Sequence, residues 1–185
     1  MPRIFVAVDL PFQLKKSLVK VQERLRKLPL KAKWVEEPNL HITLIFLGEK
    51  NMDEIRRIKK ILRKFCQKFE SEIVRIEKIK LIPNENWIRV IAFEVFANEL
   101  KRLQKELVER IDGDAKDLHL TLGRVKNVFD KNEVIRQTKL INFKAEFKVE
   151  EITLFESKLS PKGPNYIVIE KFPLAKSSAL QSSQF

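Results

Sequence analysis

Two four-residue stretches of this chain can do chemistry: His41-Ile42-Thr43-Leu44 and His119-Leu120-Thr121-Leu122. They hold both of its histidines and two of its four threonines, and they stand 78 positions apart. Histidine titrates nearest neutral pH, so of two imidazoles at one site, one can take a proton while the other gives one. Threonine hydroxyls beside them can donate hydrogen bonds to non-bridging phosphate oxygens, where charge builds in the transition state. Side chains alternate between the faces of a strand. On strands, each motif therefore turns its histidine and threonine one way and its apolar pair the other. A phosphodiester with a good internal leaving group, such as a ribose 2′,3′-cyclic phosphate, suits that arrangement. A lone His-x-Thr is commonplace and most often a packing feature. Two copies using every histidine carry more weight, because packing would fix Leu44 and Leu122 more readily than the polar pairs.

The composition narrows the setting. A chain of 185 residues, 44% of them apolar, fits one domain or two small lobes sharing a core. The net charge of +12 favours polyanionic partners such as RNA, DNA or phosphorylated ligands, with a solvated lysine-rich surface as the alternative reading. The single cysteine, Cys66, excludes an internal disulfide and fits a reducing cytoplasm; it falls in an apolar helical stripe and reads as core. No apolar run approaches the ~18 residues of a membrane span, so no membrane partner is expected. Two histidines and one cysteine are too few for a Cys/His metal cluster, and neither a metal nor a cofactor is expected.

The motifs need elements to hold them, and the same order of elements occurs twice. Arg3 to Val8 reads as a buried strand. Leu14, Leu18, Val21, Leu25 and Leu28 recur at helical spacing up to Pro29. Lys33 to Val35 is a short extended piece, and Leu40 to Leu47 is the first motif strand. Asn51 and Glu54 form a capping pair for a helix through Phe69, and Glu72 to Ile82 is a long strand. Pro83 to Asn86 has turn chemistry leading to Trp87–Val95. A helix from Leu100 to Ile111, C-capped by Gly113, precedes the second motif strand, Leu118 to Val125. Asp130 and Glu133 open a short helix. Phe143 to Phe155 reads as one long strand, bent or straight. A loop from Ser160 to Asn165 leads to a last strand, Tyr166 to Glu170. The units span residues 3–82 and 87–155. They predict an α+β, bilobal, pseudo-twofold domain over residues 1–175. Each lobe is a mainly antiparallel sheet with helices on its outer face, and a central cleft lies between them. Residues 176–185 are a Ser/Gln-rich tail expected to be disordered.

At the motifs the sequence resembles the 2H phosphoesterase superfamily and, within it, the LigT-type RNA 2′,3′-cyclic phosphodiesterases, also called 2′-5′ RNA ligases. Four segments carry the likeness. They are Arg3-Ile4-Phe5-Val6-Ala7, His41 through Gly48, His119 through Arg124, and Phe155-Glu156-Ser157 with Leu159, Gly163 and Tyr166. The resemblance implies metal-independent opening of RNA 2′,3′-cyclic phosphate ends to 2′-phosphates. It also leaves open reversible 2′-5′ ligation of tRNA halves. It implies His41 as proton donor to the 3′ leaving oxygen, His119 as proton acceptor activating water, and Thr43 and Thr121 on the phosphate oxygens. Arg124 joins them on phosphate. Phe5, Trp34, Phe46 and Tyr166 are candidates to stack on a base, against the alternative of core packing. The expected partner is RNA or a nucleotide, and the expected state a cytoplasmic monomer. Two alternatives remain: a non-catalytic RNA-binding module, or another 2H enzyme such as a small-nucleotide cyclic phosphodiesterase or an RNA 3′-end exonuclease.

Arg124 poses a question of parity. It stands five positions after His119, as Phe46 stands after His41. Strict alternation puts both on the face away from the histidines. A bulge at Gly123 would re-aim Arg124.

Overall fold

A computed structural model describes residues 1–161 and 163–176. The tail from residue 177 onward lies outside the described residues, as does Lys162 in the last loop. In chain order the elements are β1 (Arg3–Asp9), α1 (Phe12–Leu25), β2 (Leu30–Trp34), a 3-10 turn (Glu37–Asn39), β3 (His41–Glu49), α2 (Met52–Cys66), β4 (Glu72–Pro83) and β5 (Ile88–Phe96). There follow α3 (Asn98–Arg110), β6 (His119–Val128), α4 (Lys131–Lys139), β7 (Lys144–Val149), β8 (Glu151–Ser160) and β9 (Gly163–Pro173). The strands form one curled sheet in the order β7-β4-β5-β6-β3-β1-β8-β9, with β2 on β6.

The α+β, two-lobed, pseudo-twofold architecture is that expected, but the sequence repeats are not the lobes. One lobe is β3-β1-β8-β9 and the other β7-β4-β5-β6. The last strand of the first unit, β4, pairs in the second lobe with β5 and β7. In exchange β8 pairs in the first lobe with β1. Each unit thus completes the other's sheet. The lobes meet where the two motif strands touch, at a single antiparallel bridge, Ile42 to Leu120.

Elsewhere β3 and β6 diverge, and each gap is filled by the segment leading to the other motif. β2 lies along β6, Trp34 opposite Gly123. Asp114 bridges to Phe46, with the Phe46 N–H donating to the Asp114 carbonyl at 2.8 Å. This bridge explains Gly113, which does not cap the preceding helix. A Cβ there would sit 2.6 Å from the Phe46 carbonyl oxygen and 2.8 Å from Ile45, so only hydrogen fits.

Local signals behave as their chemistry dictates. Asn51 caps α2 in a capping box with Glu54, and Asp130 caps α4 by accepting from the Glu133 N–H at 2.9 Å. The strand expected over 143–155 is two: Glu150 separates β7 from β8, which go to opposite lobes. The loop expected from Ser160 is a tight hairpin, with β9 already starting at Gly163. Helix α1 stops at Leu25, before the expected Leu28, and the chain re-emerges as β2 straight after Pro29. Leu18, Leu25, Leu62, Cys66, Leu100, Leu103 and Leu107 are fully buried against the sheet. Burial pushes the Cys66 thiol up to about 12, so it stays a thiol and packs as a hydrophobe.

Candidate active site

The bridge between Ile42 and Leu120 places the motifs side by side and antiparallel. Continued in register, it sets His41 toward Thr121 and Thr43 toward His119. Ile42, Leu44, Leu120 and Leu122 are 0% exposed, and the four polar residues are half-buried on the other face. The repeat extends into the neighbouring strands. On β1, Asp9 lies opposite His41 and Ala7 opposite Thr43; on β5, Glu94 lies opposite His119 and Ala92 opposite Thr121. The two alanines leave the threonine hydroxyls uncrowded.

Each imidazole is fixed by a carbonyl two residues upstream. His41 Nδ1 lies 2.6 Å from the Asn39 oxygen and His119 Nδ1 2.7 Å from that of Asp117. A carbonyl only accepts, so both Nδ1 atoms carry hydrogen, and in the neutral rings both Nε2 atoms are free to accept. Beyond that the histidines differ. The Thr43 hydroxyl donates to His41 Nε2 at 2.9 Å. Among the described residues, neither His119 Nε2 nor the Thr121 hydroxyl has a hydrogen-bond partner.

His41 is walled by rings: Phe5 at 5.2 Å between centroids and Tyr166 edge-on at 5.2 Å. Burial lowers its pKa, and the Lys15 and Arg124 charges push the same way. The Asn39 hydrogen bond and the Asp9 carboxylate oppose them. Lys15, on α1 and only 8% exposed, reaches Asp9 at 2.7 Å and donates to the Pro38 carbonyl at 2.9 Å. Its ammonium thereby ties β1 to the turn that carries the Asn39 carbonyl. Asn39 in turn donates its side-chain amide to the Pro164 oxygen at 2.7 Å, which holds the β8–β9 hairpin, and Tyr166 with it, against the site.

The parity of Arg124 is resolved by a bulge, and Phe46 shares it. Thr121 pairs with Ala92 and Gly123 with Ile91, so Leu122 is the extra residue. Thr43 pairs with Ala7 and Ile45 with Val6, so Leu44 is extra. Two consecutive residues then face inward in each strand, Leu44-Ile45 and Leu122-Gly123, and the next one returns to the cleft face. Arg124 is there with His119 and Thr121, close enough to act electrostatically on His41 and Tyr166.

The bulges are held by two glutamines that sequence reasoning missed. Gln22 of α1, 2% exposed, donates to the Leu122 and Val35 carbonyls, both at 2.8 Å. Gln104 of α3 donates to the Leu44 carbonyl at 2.8 Å and that of Lys116 at 2.9 Å. Each amide satisfies the carbonyl of the extra residue in the other unit's motif. The available signal was a polar residue on an apolar stripe, Leu18-Val21-Gln22-Leu25.

The aromatic candidates separate. Phe46 is 42% exposed on the cleft face and Tyr166 half-buried beside His41, its phenol pushed up by burial. Phe5 is 3% exposed, stacked on Phe155 and packed against Tyr166. It offers no free face to a base and instead floors the His41 pocket. Trp34 is on the opposite, core-packed face, covering Gly123, where a Cβ would lie 2.8 Å from its ring. It does not line the cleft. Among the described residues, no three of His, Cys, Asp and Glu converge as metal ligands, and no helix is long and apolar enough to cross a membrane.

The family model described as LigT like phosphoesterase matches the chain in two successive copies, residues 8–92 and 93–166. A Methanocaldococcus jannaschii protein named RNA 2′,3′-cyclic phosphodiesterase is 36% identical over 179 residues, spanning 92% of this chain and 99% of its own. A Methanothermobacter thermautotrophicus protein of the same name is 31% identical over 182 residues, spanning 93% and 98%. A crystal structure of a Thermus thermophilus protein superposes with a TM-score of 0.77 at 30% identity, covering 95% of this chain and 99% of that one. The fold is shared also with Escherichia coli LigT complexed with 3′-AMP, at a TM-score of 0.73 and 19% identity over 95% and 99% of the two chains.

Proposed function

From the premise that the chain belongs to the LigT-like phosphoesterase family, we propose that it hydrolyses RNA 2′,3′-cyclic phosphate ends to 2′-phosphates with its two histidines as acid and base. The observation that carries this reading is the Ile42–Leu120 bridge, which sets both His-x-Thr pairs on one face with Nδ1 of each ring held from behind. The phosphate lies between the rings. His119 Nε2 takes a proton from water, whose oxygen bonds to phosphorus. The bond from phosphorus to the 3′ oxygen breaks, and His41 Nε2 gives that oxygen its proton. Thr43, Thr121 and Arg124 hold the non-bridging oxygens as their charge grows.

The resting His41 is biased toward the neutral form, with Nε2 accepting from Thr43. An anionic phosphate beside it offsets the Lys15 and Arg124 charges, raises its proton affinity and draws the Thr43 hydroxyl to itself. With a 5′-hydroxyl replacing water and the histidine roles unchanged, the same geometry performs 2′-5′ ligation, and with the roles exchanged it runs backward, the 3′-hydroxyl displacing the 5′ oxygen to re-form the cyclic phosphate. Exposed Phe46 and half-buried Tyr166 accommodate a nucleoside, in keeping with the 3′-AMP held by the Escherichia coli protein. One chain supplies both histidines, so the site is complete in a monomer working in the cytoplasm.

The test is hydrolysis of a 2′,3′-cyclic nucleotide in excess EDTA. Activity persists there, and His41→Ala and His119→Ala each lose at least ~10² in kcat. Full activity in either variant would overturn the mechanism, and activity that EDTA abolishes and a divalent ion restores would replace it with a metal-dependent one.

A further inference from the structure

Several cations on the helices are matched by carboxylates: Lys59 and Arg63 by Glu170, Arg102 by Glu99, Arg110 by Glu106, Arg136 by Glu133. The two-stranded ribbon of β2 and β6 is different. Residues 24–35 contain five Lys and Arg and no Asp or Glu, and residues 118–129 contain Arg124 and Lys126 and again no acid. Lys33 pairs across the ribbon with Arg124, and Lys31 with Asn127. Lys31, Lys33, Arg124 and Lys126 are all exposed. Trp34, Ala32 and Leu30, which alternate with the lysines, pack on the core. The lysines therefore share the face on which Arg124 meets the site. None of the four forms an ion pair among the described residues. The ribbon runs outward from the cleft and ends at Phe129, whose ring is 69% exposed.

We propose that this ribbon is the surface that holds the RNA strand leading to the reacting end, its backbone phosphates following Arg124, Lys33, Lys126 and Lys31 away from the cleft. The proposal rests on the phosphodiesterase reading and deepens it: the substrate is a polymer read through its backbone, with no base-specific contact along the ribbon. Same-face side chains on a strand repeat every ~6.6 Å, a spacing comparable to the nucleotide step of an extended single strand. Four unmatched cations in a row lower the potential energy of a polyanion without first breaking ion pairs, and Phe129 offers a stacking surface where they stop. A mononucleotide reaches only the first of them, Arg124.

The test compares the wild-type chain with Lys31→Gln/Lys126→Gln and with a charge-matched control on α2, Lys60→Gln/Lys64→Gln. Binding of a short single-stranded oligoribonucleotide is measured against salt, and hydrolysis is measured on that strand carrying a cyclic phosphate end and on a cyclic mononucleotide. The ribbon variant is expected to reduce the slope of log affinity against log salt by about 1.4, the release of two counterions from a single strand. Its kcat/KM falls on the oligonucleotide and stays within twofold on the mononucleotide, and the control leaves all three quantities unchanged. An unchanged slope overturns the proposal, as does an equal change in the control. An equal loss on both substrates places the lysines at the reacting centre and overturns it too. If the wild-type chain cleaves neither substrate, the phosphodiesterase reading falls, while the salt slope still decides whether the ribbon binds RNA.

Discussion

Phe46 and Arg124 occupy the same place in the two halves of the molecule. Each stands five residues beyond its histidine and returns to the cleft face because one extra residue, Leu44 or Leu122, is inserted just after the threonine. The backbone keeps the twofold relation and the side chains break it: one half presents a ring and the other a guanidinium. The same division separates the histidines, one enclosed by Phe5 and Tyr166 and hydrogen-bonded to its threonine, the other open. A duplicated frame thus holds an asymmetric pair, which an acid and a base require.

The bulges depend on Gln22 and Gln104. Gln22→Met keeps the length and apolar bulk of the side chain and strands the Val35 carbonyl while weakening the hold on that of Leu122. It is expected to cost about 1–3 kcal/mol in chemical denaturation. It also lowers kcat/KM on a cyclic nucleotide by about tenfold or more, through misplacement of Arg124. Gln104→Met is expected to cost similar stability with a smaller kinetic effect, because its bulge aims Phe46 rather than a charge. Stability loss with unaltered kinetics in Gln22→Met would separate the glutamine from the site.

Arg124 and Phe46 should fail in different ways. Arg124→Met loses transition-state charge stabilisation and is expected to drop kcat by ~10². Arg124→Lys recovers only part, since it keeps the charge and loses the bidentate fork. Phe46→Ala removes a binding surface, so KM for a cyclic nucleotide rises while kcat holds. Steady-state kinetics decides, and a kcat loss in Phe46→Ala equal to that in Arg124→Met would erase the distinction.

These residues also show where the sequence was informative. Alternation alone put His41 with Thr43, and His119 with Thr121, on one face of their own strands, since Leu, Ile and His-x-Thr settle which way a half-buried strand turns; that the two pairs share a face comes from the Ile42–Leu120 bridge. The bulges could not be placed, because Leu44-Ile45 and Leu122-Gly123 are apolar pairs compatible with unbroken strands. Their trace was the awkward parity of Arg124. The exchange of β4 and β8 between lobes is a matter of long-range pairing, and nothing local in Glu72–Pro83 or Glu151–Ser160 encodes the partner. Lys15 reads as the polar side of a helix although it is buried, and Gln22 stands on the apolar stripe with nothing nearby to name its partner; what holds them there, carbonyls of the turn and of the other unit's bulge, lies far along the chain. Trp34 and Phe5 show the converse, large rings expected to meet a base that the sheet turns into packing.

The lowered pKa of His41 makes stability depend on acidity. Its folded value lies below its ordinary 6.5, so between the two the unfolded chain binds the proton and the folded chain does not. Stability from this group is full above 6.5 and is lost as pH falls through that window. Denaturation of wild type and His41→Gln across mildly acid pH should show the wild type losing more of its stability on acidification. Parallel curves would mean that His41 is not the group responsible.

The same shift predicts how activity varies with pH. If His41 is the acid, the reaction needs its proton, and the free enzyme loses that proton at unusually low pH. The profile of kcat/KM reports the free enzyme and that of kcat the complex. Bound phosphate counters Lys15 and Arg124, so the alkaline fall of kcat should lie at higher pH than that of kcat/KM. Lys15→Met removes one of the lowering charges and leaves Asp9 unpaired near the ring, and both changes raise the His41 pKa. The alkaline fall of kcat/KM should therefore move to higher pH in Lys15→Met and stay in place in Lys15→Arg, which keeps the charge. An NMR titration of the two imidazoles in the free protein provides a direct check, because only the His41 resonance should follow Lys15. Movement of the His119 resonance instead would mean that the kinetic limb belongs to the other ring and that the acid and base are assigned the wrong way round.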